Sequence, residues 1–177
     1  IYRLMIKEIL TTYWSQSVLI ILGIAYFVKR LFDSKAKKIE IKYSLFQQNR
    51  IIAVNTFFLN YAKVEFMWHK LPYYAILNHK MTPEEIDEII WPPLYDLKKS
   101  IFELKIYFDA NEHKYFNDLY ENFLSLNGNL LEATLGNSEE KNTTKKYNSF
   151  AVLRNNVFVE NNKIINEITN MVRKSYT

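Results

Sequence analysis

Cysteine is absent from this 177-residue chain, which excludes disulfides and thiolate metal sites. Glycine occurs only three times and proline four. Phosphate-cradling loops and the tight turns of β-sandwiches need far more glycine, so helices should dominate. Enzymatic signatures are missing as well: G-x-S-x-G, G-x-x-x-x-G-K-[ST] and G-x-G-x-x-G do not occur, and neither catalysis nor a cofactor is expected. His69, His79 and His113 stand without carboxylates at a metal-binding spacing. Glu65 and His69 share a helix face, but a centre needs more ligands than two, and no metal site is expected. The net charge of +4 is too mild for a nucleic-acid coat protein.

What the chain does have is an apolar run with a basic flank. From Ile9 to Val28 there is no formal charge, about the length needed to cross a ~30 Å hydrocarbon core. Tyr13-Trp14 and Tyr26-Phe27 sit where interfacial aromatics are expected. Arg3 and Lys7 precede the run, whereas Lys29, Arg30, Lys35, Lys37, Lys38 and Lys42 follow it. The positive-inside bias then places the N-terminus outside and the remainder in the cytoplasm. Lys29-Arg30 abuts the run and no A-x-A-like site follows, so an uncleaved single span is expected. A soluble core helix, or an interfacial amphipathic helix over residues 1–16, are the competing readings. At helical spacing Thr12, Gln16, Gly23, Tyr26 and Arg30 fall near one face. Small and polar residues on a span favour contact between helices, so this stripe is the candidate pore lining or span contact.

Beyond the run, nothing breaks a helix from about 36 to 70, about 50 Å of stalk at 1.5 Å per residue. Leu45, Ile52, Leu59 and Phe66 recur every seven residues along it, a pattern for coiled-coil-like packing between chains or inside a bundle. Pro72 ends this helix, and the aromatic patch "YYAIL" follows. Thr82, Pro83 and Glu85 form a helix start with a capping box, "WPP" at 91–93 is expected to stop that helix near 90, and Pro93 to open the next. Further helices are expected at about 93–108, 110–134 and 146–174, with Asp109 capping the second of these and "LGNSEEKNTTKK" as a loop. The fold class is therefore all-α: an N-terminal amphipathic or transmembrane helix over 1–32, then a cytosolic helical domain over 33–177 comprising the stalk and a bundle.

Basic residues interleave with aromatics in three groups, as cationic grooves with stacking faces do when they hold nucleotides or single strands. Lys37, Lys38, Lys42, Arg50 and Lys63 line the long helix and are the candidate oligonucleotide site. Lys98, Lys99 and Lys105 form a second group, and Lys141, Lys145, Lys146 and Arg154 a third. Anionic headgroups and the positive-inside rule also account for the lysines nearest the run. The carboxylates Glu84, Glu85, Asp87 and Glu88 fall in the first turns of a helix, where its dipole favours them.

One N-terminal span, a basic juxtamembrane stretch, the long helix "KKIEIKYSLFQQNRIIAVNTFFLNYAKVEF" and a helical bundle without enzymatic motifs resemble small membrane effectors of bacterial anti-phage systems. The architecture is similar to the transmembrane effector of Hailong-type defence. The resemblance implies a homo-oligomeric channel, such as a tetramer, in the bacterial inner membrane. It implies gating by a nucleotide or single-stranded nucleic-acid oligomer made by a partner nucleotidyltransferase, ending in growth arrest. A membrane-anchored scaffold that recruits a cytosolic protein partner is the alternative expectation.

Overall fold

The computed structural model describes residues 2–135 and 143–174, without the side chains of 9, 10, 15, 17 and 135. Among them the chain is all-α: α1 (Tyr2–Lys70), α2 (Tyr73–Leu77), α3 (Pro83–Leu104), α4 (Ala110–Leu135) and α5 (Thr143–Lys174). It divides into two compact units, Ile1–Asn49 and Arg50–Thr177. The described side chains from 33 to 46 are all exposed, and burial begins at Arg50.

The first unit is α1 up to Asn49. No helical break separates the run from the stalk, and the stretches Tyr2–Trp14 and Val18 onward are bent by 67°. The Thr11 hydroxyl donates back to the Lys7 and Glu8 carbonyls at 3.0 and 3.1 Å, which satisfies a polar group without outside partners.

The second unit is a bundle. The last turns of α1 supply Ala53, Val54, Phe57, Tyr61, Val64 and Trp68, all buried at i, i+3, i+4 and i+7 spacing. Phe57 meets Phe116 of α4 edge to face at 4.8 Å, and Tyr61 lies 5.8 Å from Phe123. α3 contributes Ile90, Leu94, Leu97 and Leu104, each fully buried. At about 1.5–3 kcal/mol for each such side chain, this core is what holds the helices together. Polar ties fix their register: Asn60 donates to the Asp96 carbonyl at 3.1 Å, and Asn122 to the fully buried Asn161 at 2.7 Å.

Helix ends follow local chemistry. Thr82 and Glu85 make the reciprocal capping box, at 3.2 and 2.8 Å, and Asp109 caps α4 by accepting from the amides of Asn111 and Glu112. The break expected at "WPP" does not occur. Pro92 and Pro93 sit inside α3, which runs unbroken from 83 to 104. Ile90, Leu94 and Leu97 anchor one buried face across the prolines, while Glu88 and Ile89, whose carbonyls lose their usual donors, lie on the exposed side. The α5 helix begins at Thr143, three residues before the expected start, and most of the expected loop, with Lys141, lies outside the described residues.

The seven-residue stripe faces away from the core. Ile52, Leu59 and Phe66 are 53, 66 and 62% exposed, so packing of this stripe inside the bundle is excluded.

Candidate functional site

Two features stand apart from ordinary helical packing, one in each unit. The first is the apolar part of α1. Leu19, Ile20, Ile21, Leu22, Ile24, Tyr26, Phe27, Val28, Leu31 and Phe32 are all exposed, and the least exposed, Val28, is still 43% accessible. Successive residues turn by about 100°, so these side chains point in every direction. Leaving ten of them in water forgoes on the order of 15–30 kcal/mol of burial free energy. A helix apolar all round is stable only in lipid or enclosed by other helices. No single helix among the described residues is long and apolar enough to cross a membrane, whereas the bent pair Tyr2–Trp14 and Val18–Lys70 meets that requirement together.

The residues expected to line the span lie on the surface of α1. Thr12, Gln16, Gly23, Tyr26 and Arg30 are exposed, and a Cβ at Gly23 would meet open space. Gly23, Tyr26 and Arg30 share a face, and Thr12 lies on the far side of the 67° bend.

The five basic residues expected to hold an oligonucleotide are divided. Lys37, Lys38 and Lys42 are exposed on the first unit. Arg50 is buried in the second, its guanidinium 4.5 Å from the centre of the Phe108 ring. Lys63 is engaged by Asn60 at 3.2 Å and Asp96 at 3.8 Å. The other basic groups are also partly committed: Lys98 sits 4.3 Å over Tyr120, and Lys146 donates to the Ala133 carbonyl near the end of α4.

The second feature is a cleft of about 600 Å³ in the bundle, lined by the end of α1, by α2 and its following turn, and by α5. Its basic side chains are His69, Lys80 and Arg154, its aromatic walls Tyr73, Tyr74 and Tyr147, and no acidic side chain appears among the described residues lining it. α2 ends in a Schellman arrangement: the His79 amide donates to the Ile76 carbonyl and the Lys80 amide to the Ala75 carbonyl. His79 takes the left-handed conformation this requires, with φ 55°, and so turns Lys80 back onto the cleft. Tyr73 is buried, parallel to Trp68, and its hydroxyl donates to the Trp68 carbonyl. Burial pushes its phenol up to about 12, partly offset by the neighbouring Arg154. Tyr73 therefore stays neutral and leaves the cleft's positive charge undiminished. The Arg154 guanidinium lies 5.0 Å over that ring, and its Nε is buried without an acceptor among the described residues. His69 stacks on Phe158 at 4.7 Å.

Sequence reasoning singled out Arg154 and the "YYAIL" patch without connecting them, and set His69 aside. Lys80 was missed. Its only local signal is that it follows an aromatic patch directly. The remaining histidine, His113, is structural: its Nε2 donates to the Ile101 carbonyl at 2.8 Å and its Nδ1 accepts from Asn117. Comparison of the chain with protein-family models, with characterised proteins and with solved structures finds no match.

Proposed function

We propose that this chain is an oligomeric membrane effector, an ion channel of bacterial anti-phage immunity, whose helical bundle takes a nucleotide or nucleic-acid oligomer as its gating ligand. The observation that carries the reading is the exposure of apolar side chains on every side of α1 from Leu19 to Phe32. In this reading the run occupies the inner membrane, with the N-terminus outside and the bundle in the cytoplasm, as the lysines after Val28 favour. Copies associate through the face bearing Gly23, Tyr26 and Arg30, with Thr12 and Gln16 nearer the outer end, and a tetramer is a suitable number. The outward stripe of Ile52, Leu59 and Phe66 supports association of the bundles as well. Ligand made by a partner nucleotidyltransferase shifts the population between closed and open packings, which requires that it bind one of them better.

A second reading, a membrane-anchored adaptor for a cytosolic protein, is favoured by one surface. Tyr95 and Phe102 are 62 and 74% exposed on α3, and Trp91 stacks on Tyr95 at 5.4 Å.

Expression of the chain alone in bacteria, with growth and membrane potential followed by a voltage-sensitive dye, separates the two. Depolarisation followed by growth arrest is expected of a channel that its ligand holds closed, because the chain alone has no ligand. A membrane-inserted chain that leaves the potential unchanged contradicts it and leaves the adaptor.

A further inference from the structure

We infer that the cleft between the end of α1, α2 and α5 is a binding site for a nucleoside phosphate, with Arg154, Lys80 and His69 around the phosphoryl group and Tyr74 and Tyr147 flanking the base. The inference deepens the ligand-gated reading, and rests on it only for what binding does to the membrane helix.

Three properties of the cleft point to this chemistry. The first is uncompensated charge. Lys63 meets Asp96 and Lys163 meets Glu160 elsewhere in the bundle. Here three basic side chains converge and no acidic one lines the wall among the described residues. An anion is the missing partner, and a phosphoryl group with several acceptor oxygens can serve all three donors.

The second is preorganisation. Arg154 lies 5.0 Å over the Tyr73 ring, and Tyr73 is itself fixed by Trp68, so the guanidinium has less freedom to lose on binding than a free surface arginine. Lys80 is likewise delivered by a defined turn and not by a free loop.

The third is the aromatic mouth. Tyr74 is 56% exposed and Tyr147 36%, with ring centres 6.3 Å apart and planes at 68°. Inorganic phosphate would gain nothing from these rings, whereas a base stacked on one gains about 1–3 kcal/mol. The volume of about 600 Å³ lies within the range of small-molecule sites, enough for a mononucleotide or one end of a short strand and too small for a duplex.

The test is calorimetric titration of the full chain in lipid nanodiscs with adenosine monophosphate, inorganic phosphate and adenosine. Adenosine monophosphate should bind at least about tenfold tighter than either fragment, because each supplies only one of the two recognition elements. Arg154→Gln should weaken it by about tenfold or more, and Arg154→Lys should fail to restore it, since lysine cannot present the fork. Because Arg154 is partly buried, two variants at exposed positions keep the test decisive. Lys80→Gln should weaken both adenosine monophosphate and phosphate, whereas Tyr74→Ala should weaken adenosine monophosphate and leave phosphate unchanged. The inference is overturned if adenosine monophosphate binds no tighter than phosphate, or if Lys80→Gln and Tyr74→Ala leave its affinity unaltered. Conductance in the same lipid distinguishes the two levels. A chain that conducts but does not bind overturns the cleft and leaves the membrane reading standing. Binding without any change in conductance supports the cleft and contradicts ligand gating.

Discussion

His79 holds a position for which glycine is the usual occupant, and the side chain has a steric cost there of about 1–2 kcal/mol. His79→Gly should leave thermal stability unchanged or slightly raised. His79→Val, with a β-branched side chain in the left-handed region, should lower it by about 1–2 kcal/mol, read from the unfolding midpoint. Tyr61 and Tyr73 give a second expectation. Burial raises both phenols above their ordinary value of 10.0, Tyr73 to about 12 and Tyr61 further. A raised folded-state value means that the unfolded chain ionises first. The stabilising contribution is therefore complete below pH 10 and is lost as pH climbs through 12. Thermal unfolding followed by helical circular dichroism should show that alkaline loss, and Tyr73→Phe should reduce it. The Schellman turn was not legible in the sequence because the residue that announces one, glycine, is absent. Asp109 and the Thr82–Glu85 box were legible because their signal is local and lies within three residues.

Helix α1 carries two apolar stripes in its bundle half, and periodicity alone could not say which faces inward. Leu45, Ile52, Leu59 and Phe66 form the regular seven-residue repeat. The core instead takes Ala53, Phe57, Tyr61, Val64 and Trp68, whose rings interlock with Phe116, Phe123 and Tyr73. Asn60 and Lys63, beside that face, reach Asp96 and settle the choice. Replacing Leu59 and Phe66 by glutamine should change the stability of the bundle by only about 0.5 kcal/mol per site, while lowering the oligomer fraction in light scattering. Phe57→Ala should cost about 3–5 kcal/mol, because it empties a fully buried site. The prolines of α3 show the same limit. "WPP" is a sound local stop signal, and burial of Ile90, Leu94 and Leu97 overrides it.

Taken whole, the chain joins an apolar helix that cannot be content in water to a bundle that is well packed without it. The all-α class was legible from composition, because three glycines and four prolines leave little else. The cleft was not, because His69, Lys80 and Arg154 are brought together only when α2 and α5 pack. Arg50 packs against a ring and Lys63 lies beside a carboxylate, neither legible beforehand, because a basic residue on an amphipathic helix reads the same whether its partner is a ligand, a ring or a carboxylate.

The central claim is that the apolar run ending at Val28 resides in lipid while the bundle faces the cytoplasm. The absence of native cysteine makes it directly measurable by single-cysteine labelling with a membrane-impermeant maleimide. In inside-out vesicles Lys38→Cys and Phe102→Cys should label, and Ile20→Cys should not. In right-side-out vesicles only Arg3→Cys should label. Labelling of Ile20→Cys in intact vesicles as fast as Phe102→Cys would contradict the claim.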